Sequence, residues 1–173
     1  FETMLNATLE NPNKAHIMAM DILAKNSGTK GMIGGQVVDI LSEGKKVDNE
    51  TLTFIHENKT AALIMASAEM GAVLGGADKK TQKALSRYAK NLGIAFQVAD
   101  DILDVVSSKE ELGKPINSDM KNEKSTYVSI NGLDKAKDRL EELTNLAILE
   151  LDNIDIKSDK LKELAVVLTS RTY

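Results

Sequence analysis

The sequence contains no cysteine and no tryptophan. Disulfide cross-links and thiolate metal sites are therefore excluded, which fits a reducing compartment without requiring one. Only two prolines occur, Pro12 and Pro115, so little of the chain is barred from regular structure. There are two histidines, too few for a zinc cluster, and "HENKT" is not H-E-x-x-H. The P-loop pattern G-x-x-x-x-G-K-[ST] is missing, and no Ser-His-Asp arrangement can be argued from spacing. No apolar run approaches the roughly 20 residues of a membrane span, and no secretory signal pattern is seen. A basic surplus is also lacking. The net charge of -4 opposes non-specific nucleic-acid binding, which needs a positive footprint. The chain begins at Phe1, and the expectation is a fragment whose amino-terminal part is absent.

What is present is a 42% share of hydrophobic residues in 173, enough for a real core and well outside the disordered class. One domain is the default at this length, and two are possible. Apolar residues recur at helical spacing nearly everywhere, while alternating runs bounded by turns are missing, so the chain reads as all-α. The pattern predicts the end of a helix over Phe1 to Leu9, then a helix opened by Asn11-Pro12 and running to about Lys25. Further helices are expected at Thr29 to Ser42, at Asp48 (as N-cap) to about Glu57, and at Lys59 to Leu74. A long helix should open at Asp78 or Lys79 and reach Val106, with a bend near Gly93. Ser107 to Lys124 is polar, holds Gly113 and Pro115, and reads as a loop. Helices then follow at Thr126 to Ile130, Leu133 to Asp152 and Ser158 to Ser170. The Leu133 to Asp152 helix is an ordinary packing helix. No internal repeat or low-complexity linker is present.

One stretch departs from this pattern. "FQVADDILDVV", Phe96 to Val106, places Asp100, Asp101 and Asp104 in an otherwise apolar run. At about 100° per residue, Asp104 lies about 40° round from Asp100, Gln97 about 60° and Asp101 about 100°. These four make a narrow acidic stripe on a helix apolar elsewhere, the reverse of a surface helix. Such a helix is surrounded by protein, with its acids facing a wet internal cavity. Carboxylates one turn apart repel, and a hard divalent cation offsets that repulsion. Mg²⁺ commonly joins one or two carboxylates to substrate phosphates. The plain alternative is an exposed acidic patch that solubilises a helix.

Phosphates also need cations. Lys59 stands in "HENKTAALI" at the head of an alanine-rich helix, whose amino terminus favours an anion. Lys114 and Lys124 follow the aspartate helix in "LGKPINSDMKNEKSTY". Any one of them alone reads as a solvated surface charge; their joint placement around the acidic helix is what points to a phosphate. In "GMIGGQVVD", Gly34 and Gly35 interrupt a helical run at a cost of about 1 kcal/mol each against Ala. They indicate close helix packing or room for a ligand, with Gln36 and Asp39 beside it; a capped helix junction is the competing reading.

Taken together, "GMIGGQVVD", "HENKTAALI", "FQVADDILD" and "GKPINSDMKNEKSTY", in that order, resemble the trans-isoprenyl diphosphate synthases. The resemblance runs from about Phe1 to Arg171 and is strongest to short-chain bacterial enzymes of the farnesyl diphosphate synthase type. It implies an all-α isoprenoid-synthase-type bundle around a deep central cavity, here incomplete, with residues 1–173 as the carboxy-terminal part of one polyprenyl synthetase domain. It implies a prenyltransferase that condenses isopentenyl diphosphate with dimethylallyl or geranyl diphosphate, using Mg²⁺. Asp100, Asp101 and Asp104 would bind the metal, with Asp119 as its further partner. Lys59, Lys114 and Lys124 would grip the allylic diphosphate. Thr60 and Gln97 would aim oxygen dipoles at the developing allylic cation. Phe96 would line the homoallylic site, and Gln36 and Asp39 the cavity wall. Arg171 matches a basic tail position. A homodimer, a cytoplasmic location, and no nucleic-acid partner or membrane span are also implied.

The sequence departs from the family pattern in three ways. No first aspartate-rich motif occurs, Glu123 replaces the usual glycine before the loop lysine, and Asn117 replaces the glycine of "GSD". The expectation is that this polypeptide alone is inactive. Geranylgeranyl or longer-chain synthesis, a non-catalytic subunit of a heteromeric prenyl synthase, and a helical interaction module with an acidic patch are the rival readings.

Overall fold

The computed structural model describes residues 1–110 and 125–170, the side chains of 107–110 excepted. Every element among the described residues is helical. In chain order they are α1 (Glu2–Glu10), α2 (Lys14–Ser27), α3 (Met32–Leu41), α4 (Asn49–Ile55), a π-helical turn (His56–Ala61), α5 (Ala62–Leu74) and α6 (Lys79–Glu110). After residues 111–124 come α7 (Tyr127–Asn131), α8 (Leu133–Asp152) and α9 (Asp159–Thr169).

Side-chain caps open α2, α4, α6 and α7. The Asn13 side chain accepts the backbone N–H of His16 at 2.9 Å and opens α2. The carboxylates of Asp48 and Asp78 do the same for Thr51 and Thr81, at 2.8 and 2.7 Å, the expected geometry of an aspartate N-cap. Thr126 and Ser129 form a reciprocal capping box at the head of α7, each satisfying a donor that a helix start leaves over. Gly132, at φ 88°, separates α7 from α8, a conformation glycine adopts without steric cost.

Helix α6 is the spine of the fold. One face packs Ala84, Leu85, Tyr88, Ala89 and Leu92 against Ala72 of α5, Ala147 and Leu151 of α8 and Ala165 of α9. Two to three turns further on, Ile94, Ala95, Val98, Ala99 and Ile102 meet Ala61 of the π turn and Ala136, Leu140 and Leu143 of α8. Helices α6 and α8 are antiparallel: Arg87 is bidentate to Glu150 near the end of α8, while Ile102 clusters with Ala136 near its start. The many alanines allow the helix axes to approach closely. Gly93 continues this logic, since a Cβ there would lie 2.5 Å from Ala61 Cα. Helix α6 runs through Gly93 as one continuous element, and the glycine serves contact with the π turn.

Two expectations are corrected. No break separates the short fourth helix from the alanine-rich one. The backbone passes from α4 through the π turn into α5, so Lys59 is not at a free helix amino terminus and the dipole argument for it falls. Within "HENKT", His56, Lys59 and Thr60 turn toward the site, while Glu57 pairs with Lys90 and Asn58 bonds back to the Phe54 carbonyl. Helix α6 also extends to Glu110, four residues beyond the expected end at Val106.

Candidate functional site

The site is assembled by four elements around the middle of α6. From α3 comes Asp39, buried at 5% exposure. From the π turn come His56, Lys59 and Thr60. Helix α6 supplies Gln97 and Asp101, with Phe96, Asp100 and Asp104 on the same helix, and the segment entering α7 supplies Ser125, Thr126 and the backbone of Tyr127. A π turn carries one more residue per turn than an α turn, and such bulges are frequent at functional sites.

Glycine sets the distance between α3 and the π turn. A Cβ on Gly35 would collide with the backbone at Lys59 and lie 2.7 Å from Asn58 C. Backbone contact is therefore possible only with hydrogen at this position. The consequence is that Asp39, one helical turn on, reaches the Lys59 ammonium and pairs with it. The lysine side chain keeps 31% exposure while its partner carboxylate keeps 7%. Gly34 fits against the Thr29 carbonyl. The glycine pair thus serves close packing, one of the readings its pattern allowed.

A second network crosses from the π turn to α7. Thr60 Oγ1 donates to Gln97 Oε1 at 3.0 Å. Gln97 Nε2 donates to Asp101 Oδ1 at 3.3 Å. The other oxygen of that carboxylate, Oδ2, accepts the Tyr127 backbone N–H at 2.8 Å and lies 3.6 Å from His56 Nε2. At that distance the histidine contact is electrostatic rather than a hydrogen bond. Asp101 and His56 are 6% and 5% exposed. With the Thr60 proton committed to Gln97, the threonine hydroxyl keeps its oxygen as an acceptor.

The three aspartates therefore do not share one environment. Asp100 and Asp104 are half-buried and lie one turn apart on α6, while Asp101 is turned into the protein. The four-residue stripe expected from the helical wheel resolves into two faces. Phe96 and Gln36 are half-buried on α6 and α3. A small cavity of about 50 Å³ lies between Asp39, Lys59, Gln97, Asp101 and Thr126. It is the size of one or two waters, so this hollow is not the deep chamber expected, and a diphosphate would lie outside it. Lys114, Asp119, Lys124 and Arg171 lie outside the described residues.

Among the described residues, no three carboxylates or histidines converge as a ready metal cage. Asp100 and Asp104 still fit a magnesium site of the kind that takes one or two carboxylates and completes its shell with water and substrate phosphates. Sequence reading missed His56 and the Tyr127 amide. His56 was legible in part: it follows Leu52 by four residues, and Leu52 is buried, so the histidine falls on the inward side of the segment. A backbone amide carries no sequence signal.

A family model described as polyprenyl synthetase matches residues 2–164. The chain belongs to the polyprenyl synthetase family. Within that family it is 38% identical over 172 residues to a geranylgeranyl diphosphate synthase of Cyanophora paradoxa, covering 99% of this chain and 57% of the relative. It is 35% identical over 162 residues to a farnesyl diphosphate synthase of Geobacillus stearothermophilus, covering 94% of this chain and 54% of that one. Among solved structures, a geranyltransferase from Helicobacter pylori complexed with magnesium and isoprenyl diphosphate superposes with a TM-score of 0.77 at 36% identity. That match covers 98% of this chain and 55% of the other. The polyprenyl synthetase chain described here thus spans about half the length of the relatives it matches.

Proposed function

We propose that the protein carrying this chain is a magnesium-dependent prenyltransferase that joins isopentenyl diphosphate to an allylic diphosphate, dimethylallyl or geranyl, in a head-to-tail condensation. The observation that carries the reading is the network that joins Lys59 and Thr60 of the π turn to Asp39 and Gln97, with Asp100 and Asp104 on the same helix as Gln97, in a chain of this family.

Each residue has a definable task. Lys59, held by Asp39, offers its ammonium to the allylic diphosphate and stabilises charge as the carbon–oxygen bond breaks. Thr60 and Gln97 direct oxygens toward the carbon that becomes positive. The apolar faces of α6 and α8 keep water from that centre, which would otherwise be hydrolysed. Asp100 and Asp104 would hold magnesium, which when bound supplies charge neutralisation for the leaving diphosphate. Asp119, Lys114 and Lys124 keep their expected roles in the proposal, as do Phe96 at the homoallylic site and Gln36 in the wall. The isopentenyl double bond attacks the allylic carbon, and the proton lost afterwards passes to the departing diphosphate. No protein nucleophile is needed.

Farnesyl diphosphate is the proposed product. Geranylgeranyl diphosphate is the second reading, because relatives of comparable identity carry that name. A homodimer and a cytoplasmic location remain part of the proposal. No helix among the described residues is long and apolar enough to cross a membrane. Calorimetry with geranyl diphosphate tests the reading. Binding is expected only with magnesium present, and Lys59→Ala should weaken it roughly tenfold or more. Binding indifferent to both magnesium and Lys59 would overturn it.

A further inference from the structure

We propose that Asp101 is a positioning residue rather than a metal ligand: its buried carboxylate braces the π turn bearing Lys59 and Thr60 against the start of α7. The consequence for ligand binding rests on the diphosphate reading above; the geometry does not.

Both oxygens of Asp101 are engaged by the protein, Oδ1 with Gln97 Nε2 and Oδ2 with the Tyr127 amide and His56. Turning the carboxylate out toward a metal held by Asp100 and Asp104 would strip these donors of their acceptor in a buried setting, which is unfavourable.

The brace acts where it is needed. A π turn is an uncommon conformation that persists when its surroundings hold it. Gly35 and Gly93 press on its backbone at Lys59 and Ala61 from two sides. Neither reaches its first residue, His56, which is the residue Asp101 contacts. Through Gln97, the same carboxylate also fixes the partner of the Thr60 hydroxyl. At its far end the brace is anchored, because α7 is tied to the start of α4 by reciprocal amide bonds between Asn131 and Asn49. Lys59 and Thr60 are thereby presented at a fixed angle to α6.

The test uses this chain with inorganic pyrophosphate and magnesium chloride. Asp101→Ala should weaken magnesium-dependent pyrophosphate binding roughly tenfold, as loss of an outer-shell partner does. Asp101→Asn retains a carbonyl acceptor and should recover most of that loss. The magnesium concentration for half-saturation should stay near that of the unaltered chain in Asp101→Asn. In Asp100→Asn it should rise roughly tenfold. In a Lys59→Ala background, Asp101→Ala should produce no further loss, because its effect travels through the π turn. An Asp101→Asn variant whose magnesium requirement climbs as in Asp100→Asn overturns the proposal. Amide hydrogen exchange decides the brace without any ligand. Asp101→Ala must accelerate exchange at Tyr127 and across His56 to Ala61, and unchanged exchange overturns the proposal. If the unaltered chain binds no pyrophosphate with magnesium, the diphosphate reading fails, and the exchange result alone rules on the brace.

Discussion

At the scale of single residues, the site depends on side chains that are missing as much as on those present. Lys59 is aimed by Asp39, but Asp39 reaches it because Gly35 lets α3 touch the backbone of the π turn. Gly93 plays the same part from α6, where an added Cβ would meet both Cα and Cβ of Ala61 at 2.5 Å. Because Ala61 is wholly buried, neither partner can step aside without moving a helix. Gly93→Ala is expected to destabilise the fold by about 1–3 kcal/mol through overpacking, despite the better helix propensity of alanine. Urea denaturation at constant m-value measures this. A neutral or stabilising outcome would show that the contact between α6 and the π turn is loose. Gly71, by contrast, has nothing within 4 Å of an added Cβ. Gly71→Ala should therefore be neutral or mildly stabilising, and it serves as the internal control.

At the scale of elements, helix starts were the part of the structure most visible in the sequence. Asp48, Asp78 and Thr126 stand immediately before apolar periodic runs, and all three cap. Amides at Thr51 and Thr81 hold the Asp48 and Asp78 carboxyls below their ordinary value of 3.8. A depressed carboxyl contributes stability above its unfolded value and loses it as pH falls through the folded one. Replacing either aspartate by alanine should lower Tm at pH 7. The gap from the unaltered chain should close as pH falls below about 4. A Tm difference constant from pH 7 to pH 2 would show that charge is not involved. The π turn, by contrast, could not be read. Its residues, "HENKTA", have no pattern that separates a π turn from a helix boundary, and the polar run reads as a helix start. Contacts from other helices, all remote in sequence, hold it: Gly35 and Gly93 press on its backbone, and Asp39 and Asp101 meet its side chains.

At the scale of the whole molecule, α6 links the site to the rest of the bundle. Its amino-terminal half is fastened to α9 by Tyr88, whose buried hydroxyl donates to the Leu161 carbonyl at 2.7 Å. Burial pushes the Tyr88 phenol up to about 12 from its ordinary 10. A raised phenol stabilises the fold fully below pH 10, and that contribution is lost as pH rises through 12. Tyr88→Phe should lose about 1 kcal/mol at pH 7, the net worth of one buried hydrogen bond. Its deficit should then narrow in alkaline solution. An unchanged gap between pH 8 and pH 11.5 in thermal scans would refute this.

The all-α class and the span of α8 were legible because they follow from helical periodicity along one chain, and the bond from Thr60 to Gln97 joins two of the blocks that the sequence singles out. Helical spacing is a property of neighbours three and four residues apart, so the sequence by itself determined which segments coil and which faces turn inward. That Asp101 is buried and held by Gln97 and the Tyr127 amide was decided only by tertiary structure. The separation of Asp101 from Asp100 is a single residue, about 100° of rotation. What occupies that direction is set by His56 and the Tyr127 amide, 45 positions before and 26 positions after Asp101. Burial energy depends on those distant partners, and no local pattern encodes them.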